Sequence, residues 1–136
     1  MKRRDFYLNM DAAFQMENHQ VGLVYGFGVQ RAFLQARHFP QVSTSYGYRI
    51  AHKNQFQLFA TNVFSYSTVK LGKKTHQRLH VFEEYIGFSY ELGNKIRFKN
   101  AILGGLYAEK ITPKMNYFVR KLSIGYQFTI GVLYAF

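Results

Sequence analysis

Residues 122–136 have the sequence LSIGYQFTIGVLYAF, in which every second position from Leu122 to Phe136 is apolar or aromatic. The positions between them hold small or polar residues as far as Gly131. Successive side chains of a β-strand point to opposite faces, whereas a helix would scatter these apolar residues around its circumference. The pattern therefore predicts a long strand with one apolar face and one polar face.

The same period of two recurs upstream and predicts six further strands. They lie at residues 6–17, 21–30, 42–50, 55–68, 82–92 and 95–102. We expect a β-bulge near Asn62, where a polar residue interrupts the apolar face, and a loosening of the sixth strand around Gly104 and Gly105. No segment has a convincing helical period, so the pattern predicts an all-β fold.

The connections between these strands alternate in length. Short ones at 17–20, 52–54 and 93–94 contain Asn or Gly, and longer ones lie at 31–40, 69–78 and 110–116. This alternation is typical of an antiparallel up-and-down sheet. The length of 136 residues predicts a single domain, 1–136.

The composition excludes several classes of protein. The absence of cysteine excludes disulfide frameworks, cysteine zinc sites and thiol catalysis. No apolar run approaches the roughly 18–20 residues of a transmembrane helix, which leaves a membrane-spanning barrel as the alternative. The formal charge of +11 favours phosphate-bearing partners, either nucleic acid or lipid headgroups.

The residues of the polar face indicate which side of the sheet is enclosed. They include many glycines and serines, among them Gly26, Gly47, Ser89 and Gly125. Glycine weakens a solvated strand, but small residues suit the crowded interior of a narrow barrel. The apolar face would then meet lipid, as in a transmembrane β-barrel. A soluble, lipocalin-like binding barrel is the alternative with the opposite orientation.

Charged residues of both signs also fall on the polar face. Enclosed together they would neutralise one another, because a buried unpaired charge costs several kcal/mol. We predict a structural ion network in the lumen, with a narrow conduit as the alternative role. Its members would be Asp11, Arg49, Glu83, Glu91, Lys95, Arg97, Lys99 and Lys121.

With these features the chain resembles the small outer-membrane β-barrels of Gram-negative bacteria. The resemblance covers the whole chain as a pattern, and its most specific element is the C-terminal aromatic residue preceded by apolar residues at every second position. In that family the barrel-assembly machinery reads such an ending as a signal. On this resemblance Phe128, Ile130, Val132, Tyr134 and Phe136 would carry it.

The resemblance also implies a location and a strand count. The chain would lie in the outer membrane in contact with its lipid, with short turns towards the periplasm and long loops outside. Single-chain bacterial barrels have an even number of strands, and seven is odd. We therefore expect an eight-stranded barrel, with the first strand and a signal peptide absent from this sequence. Splitting residues 117–136 into two strands is the rival account.

The longest basic segment lies in a predicted outer loop. Lys70, Lys73, Lys74 and Arg78 would face the phosphates of lipopolysaccharide there, and a merely solvated loop is the alternative. Basic residues interleave with aromatics, but no nucleic-acid motif is present, so we do not expect a nucleic-acid partner. The resulting hypothesis is a structural or interaction role in the cell envelope. A larger envelope complex is a further candidate partner.

The competing function is a lipid-modifying enzyme that acts as an acyl hydrolase or transferase. Some outer-membrane barrels act on lipid with a Ser/His/acid set, and His80 and Glu84 are the weak catalytic candidates here, with Ser65 and Ser67 on the preceding strand. No Gly-x-Ser-x-Gly motif is present. The histidines have no metal-like spacing, so the sequence predicts neither a metal site nor a cofactor.

Overall fold

The structure, a computed structural model, describes residues 5–31, 39–70, 76–112 and 121–134. The described residues form seven strands in one sheet. Their bounds are β1 (Asp5–Met16), β2 (His19–Arg31), β3 (Phe39–Lys53), β4 (Phe56–Lys70), β5 (Arg78–Gly93), β6 (Ile96–Thr112) and β7 (Lys121–Tyr134). Each strand pairs antiparallel with the next one along the chain, which confirms the predicted up-and-down order.

Two local expectations about the strands were wrong. β6 continues through Gly104 and Gly105 in unbroken register with both neighbours, and Gly105 allows close approach there because a Cβ would strike the backbone of Glu84 and Tyr85. The register is also continuous at Asn62, and the irregularities lie instead between Phe6 and Tyr7 and between Arg49 and Ala51. Asn62 is therefore a polar residue on the apolar face of a regular strand.

Tight turns close the three short connections. Glu17 and Asn54 adopt positive φ values of 53°, and Gly93 has a φ of 127°. The turns also bond to the strands beyond them. Arg49 N–H donates to the carbonyl of Asn18 at 2.7 Å, and Gly93 N–H donates to that of Gln55 at 2.9 Å. This rim of the sheet, the short-turn rim, is thus held together across neighbouring hairpins.

The apolar face of the sheet points outwards. Phe88, Ile124 and Phe128 are 60%, 71% and 66% exposed, whereas Gly47 is buried against the ring of Phe59. Even-numbered positions point outwards on β1 from Leu8, on β3 as far as Ile50 and on β4–β7, and odd-numbered positions point outwards on β2 as far as Phe27. The irregularity after Arg49 reverses the phase of β3, so that Ala51 lies opposite the outward Leu58. The small residues of the polar face therefore line the inside, as the glycine and serine pattern predicts.

The sheet curls strongly enough to bring distant strands into contact on the inside. Gln20 of β2 bonds to Glu91 of β5, and Gln15 of β1 bonds to Gln57 of β4. Phe39 of β3 packs in one cluster with side chains from β1, β4, β5 and β6. Side chains of β1–β6 therefore meet in one interior.

β1 and β7 are the two edges of this sheet. Among the described residues β1 pairs with β2 alone and β7 with β6 alone, and the antiparallel order makes the two edge strands run in the same direction. Inward side chains on the central strands are mostly buried, but Asn9 and Asp11 on β1 are exposed and Gln127 and Thr129 on β7 are half-buried. The interior is least covered where these two strands face each other.

We expect Phe59→Ala to destabilise the fold by about 3–5 kcal/mol, because the Phe59 side chain is fully buried in the interior. The matched variant Phe88→Ala removes the same atoms from the outward face and should cost less than about 1 kcal/mol. Chemical denaturation of both variants measures the difference. Equal losses would contradict the assignment of inside and outside.

Candidate functional sites

The innermost charged group is the carboxylate of Glu91, which is fully buried near the short-turn rim. Gln20 Nε2 donates to Glu91 Oε1 at 2.9 Å, and Arg97 Nη1 donates to Glu91 Oε2 at 3.1 Å. Arg97 Nε also donates to the carbonyl of Asn94 at 3.0 Å, so its guanidinium joins the interior to the β5–β6 turn. Each carboxylate oxygen therefore has a donor, which offsets part of the cost of burial.

A second polar group lies further along the interior, around the buried carboxylate of Glu83. Gln41 Nε2 donates to Glu83 Oε2 at 3.2 Å, and the Tyr85 hydroxyl donates to Oε1 at 3.4 Å. Hydroxyl pairs flank this group, with Ser43 donating to Ser65 at 2.8 Å. A serine is small enough to fill the narrow interior and still satisfy its own hydroxyl.

A third group lies at the short-turn rim, around the guanidinium of Arg49. Its Nη2 donates to Asn18 Oδ1 at 2.9 Å, and its Nη1 donates to Gln57 Oε1 at 3.4 Å. Gln15 Nε2 donates to the same oxygen of Gln57 at 3.2 Å. Arg49 thus links the β1–β2 turn to the buried side chain of Gln57 on β4.

Six of the eight predicted ion-network residues, all except Lys95 and Lys121, are described in the inward phase of their strands. Asp11 on β1 interacts electrostatically with Lys99 on β6, and Lys99 lies directly opposite Glu91, the ion-pair partner of Arg97. Lys95 is exposed in the β5–β6 turn, so its expected place in the lumen was wrong, because β6 begins one residue later, at Ile96. The side chain of Lys121 lies outside the described residues.

The partners that the sequence analysis missed are glutamines. Gln20 and Gln41 supply donors to the two buried carboxylates, and Gln15 and Gln57 bond to each other. An amide both donates and accepts, so it satisfies a buried carboxylate without adding a charge. The signal was present in the sequence, since all four glutamines fall in the inward phase of their strands.

The end of the interior nearest the longer connections is apolar. A cluster of Phe39, Val69, Leu79 and Val81 fills it, with Tyr7 and Ile111 packed against the cluster. The Phe39 ring meets that of Tyr7 edge-on at 5.4 Å between centroids, and Gly28 leaves room for it because a Cβ there would strike the ring. The sequence analysis missed this cluster, since it assigned several of its residues to loops.

On the outward face, His80 and Glu84 belong to two different clusters. His80 Nδ1 lies 2.6 Å from the Tyr66 hydroxyl, and its Nε2 lies 2.7 Å from Thr112 Oγ1. Glu84 accepts instead from Asn62 Nδ2 at 3.3 Å. Ser65 and Ser67 are buried inside, on the opposite side of the sheet, so neither serine reaches His80.

Two of the predicted lipopolysaccharide-facing cations are described. Lys70 and Arg78 are exposed and lie opposite each other on β4 and β5, where the longer connections begin. Lys73 and Lys74 lie outside the described residues. We call this end of the sheet the long-loop rim.

The apolar residues of the predicted assembly signal share the outward face of β7. Phe128, Ile130, Val132 and Tyr134 are all exposed there, and Phe136 lies outside the described residues. They continue an apolar surface that runs across the outside of β5 and β6, because Phe128 pairs with Ile102, which pairs with Phe88.

Two further features are absent from the described residues. No helix there is long and apolar enough to cross a membrane. No group of three or more His, Cys, Asp or Glu side chains is arranged there to hold a metal ion. Comparison of the chain with known protein families, with curated proteins and with solved structures found no match.

We expect Arg97→Met to destabilise the fold by about 3 kcal/mol, because it removes the ion-pair partner of the buried Glu91 carboxylate and leaves the Gln20 amide as its described hydrogen-bond donor. The double variant Glu91→Gln/Arg97→Met removes both charges and should recover most of that loss. Lys95→Met, in the neighbouring turn, is the control and should change stability by less than about 0.5 kcal/mol. Denaturant unfolding gives all three values, and a double variant no more stable than Arg97→Met would refute the ion-pair account.

Proposed function

We propose that this chain is an integral β-barrel of the outer membrane of a Gram-negative bacterium, with a structural or interaction role. The observation that carries the proposal is the inverted distribution of side chains. Large apolar residues cover the outside of every described strand, while the buried carboxylates of Glu83, Glu91 and Glu109 lie inside. Water would not favour so continuous an apolar surface on a monomer, whereas lipid would.

The lengths of the strands support a span of the bilayer. A transmembrane strand needs about 9–11 residues at a tilt of about 45°. The described strands have 12 to 17 residues, so each crosses the hydrocarbon layer with residues to spare. β6, the longest, carries Ile96, Phe98, Ile102 and Leu106 on its outward face and changes to Lys110 and Thr112 near its end. The one polar side chain among them, Asn100, donates to the Tyr90 hydroxyl at 2.8 Å.

Aromatic and histidine side chains lie at both ends of the outward face. His19 bonds to the Tyr46 hydroxyl at 2.7 Å and meets Tyr48 edge-on near the short-turn rim. Tyr66 stacks on His80 and packs against Phe82 near the long-loop rim. Such groups suit the two membrane–water interfaces, because their rings are apolar while their hydroxyl and imidazole groups need polar partners.

The contents of the interior favour a structural role over transport. Buried side chains fill it at several levels, from the Glu91–Arg97 pair to the Phe39 cluster. In a barrel of about eight strands side chains fill the interior, and no aqueous channel remains. The proposed partners are therefore external: outer-membrane lipid, including lipopolysaccharide at the long-loop rim, and the barrel-assembly machinery at β7.

We also propose that one further strand closes the barrel between β1 and β7. Because these edges run in the same direction, a single strand placed between them is antiparallel to both and continues the up-and-down order. It would cover the inward side chains of Asn9 and Asp11, which are exposed, and of Gln127, which is half-buried. It would also remove two long unpaired edges, which are otherwise templates for aggregation.

We expect the protein, expressed from its complete gene in a Gram-negative host, to fractionate with the outer membrane and to resist extraction by alkaline carbonate. Phe136→Ala should lower the amount of assembled protein severalfold, because the terminal aromatic residue carries the proposed assembly signal. Phe88→Ala, another outward phenylalanine, is the matched control and should assemble normally. Recovery of the wild-type protein in the soluble fraction would refute the membrane assignment.

Closure by a further strand predicts slow hydrogen exchange at both edges of the sheet. In the full-length protein, the amides of β1 and β7 that point away from β2 and β6 should exchange about as slowly as those of the central strand β4. Amide exchange followed by NMR in micelles measures each position. Rapid exchange at the two edges beside a protected β4 would show that no strand lies between them.

A further inference from the structure

Three cations share the outward face at the long-loop rim. Lys70 on β4 lies directly opposite Arg78 on β5. Lys110 on β6 pairs with His80, and Arg78 pairs with Thr112, so Lys110 is diagonal to Arg78. Directly opposed residues have Cβ atoms about 5 Å apart and diagonal ones about 7–8 Å, so the three side chains reach one ligand. All three are exposed.

The described part of the chain provides no carboxylate to neutralise this group. The outward acid of β5, Glu84, bonds to Asn62 and lies six residues from Arg78, or about 20 Å along the strand. Glu83 and Glu109 are buried on the inside of the sheet. The sequences of the adjoining connections, 71–75 and 113–120, add Lys73, Lys74, Lys114 and Arg120 and contain no Asp or Glu.

Like charges placed directly opposite each other on a sheet are destabilising, so this arrangement favours an anion from outside the chain. An oxyanion such as phosphate accepts charge-assisted hydrogen bonds from lysine and arginine together. The positions of the three cations therefore indicate that the ligand carries an oxyanion. The surface beside them indicates what other chemical groups the ligand has.

That neighbouring surface changes from charged to apolar within a few residues. Along β5 the outward side chains are Arg78, then His80, then Phe82, at intervals of about 7 Å. Both ring nitrogens of His80 lie within hydrogen-bond distance of a hydroxyl, that of Tyr66 or that of Thr112. These contacts hold a polar group between the cations and the apolar surface. Beyond it, Phe82, Ala108 and Leu122 lie opposite one another on β5, β6 and β7 and present apolar surface, and Glu84 is the next outward residue of β5.

We propose that Lys70, Arg78 and Lys110 bind the phosphate groups of lipid A, the phosphorylated glycolipid of the outer leaflet, on the outer surface of β4–β6. The cations would hold the phosphates while an acyl chain lies along the row of Phe82, Ala108 and Leu122. A soluble phosphate would use the cations and leave the apolar surface uncovered. This site rests on the proposed function, because it needs the long-loop rim to face the outer leaflet.

The test is lipid binding by the full-length protein in detergent micelles, followed by native mass spectrometry. The probes are bisphosphorylated lipid A, the same lipid with both phosphates removed, and inorganic phosphate. Lys70→Gln/Lys110→Gln should weaken binding of bisphosphorylated lipid A about 30-fold, at ~1 kcal/mol for each cation. Lys53→Gln/Lys95→Gln removes the same charge from exposed positions at the short-turn rim and should change binding less than about twofold.

Each outcome bears on one claim. Dephosphorylated lipid A should bind weakly to every variant, and inorganic phosphate should not compete at concentrations near that of the lipid. Equal losses in the two double variants, or undiminished binding by Lys70→Gln/Lys110→Gln, would overturn the site while leaving a membrane-inserted protein in place. Competition by inorganic phosphate would replace the lipid with a soluble anion. A wild-type protein that is soluble without detergent would overturn both the site and the proposed function.

Discussion

Side chains alternate between the two faces along each strand, so the pairing register of the strands determines which residues lie inside this protein and which lie outside. A shift of one residue in any strand would carry its whole apolar set to the opposite face. On β5 such a shift would expose Glu83 and Glu91 and would turn Phe88 into an interior already filled by Phe59. The ladder between β4 and β5 runs from Phe56↔Leu92 to Lys70↔Arg78 without a break, and this continuity keeps every later contact in place.

The narrow interior dictates the chemistry of its polar groups. A carboxylate enclosed there needs donors from nearby strands, and long cations are difficult to fit beside large side chains. Glu91 therefore takes one donor from a glutamine across the interior and one from Arg97 at the rim. Glu83 accepts hydrogen bonds from Gln41 and Tyr85. Neutral amides and a hydroxyl supply three of the four donors described for these two carboxylates.

The sequence predicted the strands and their faces well because the period of two is a local property of each segment. It predicted Glu83, Glu91 and Arg97 on the inside for the same reason. It could not predict which residues meet across the interior, since the contact of Gln20 with Glu91 joins residues 71 positions apart and depends on the curl of the whole sheet. It also missed the Phe39 cluster, because Val69 and Leu79 stand where the alternation gives way to a basic segment.

The two rims of the sheet differ in how they handle charge. At the short-turn rim Arg49 and Arg97 bend inwards and bond to turn residues, so that positive charge is used in tying hairpins together. At the long-loop rim the interior is closed by apolar side chains, including Phe39 and Val81, which offer nothing to a cation. Lys70 and Arg78 must therefore remain outside, opposite each other. The excess positive charge is thus directed at whatever surrounds that rim, which makes an external anion its natural counterpart.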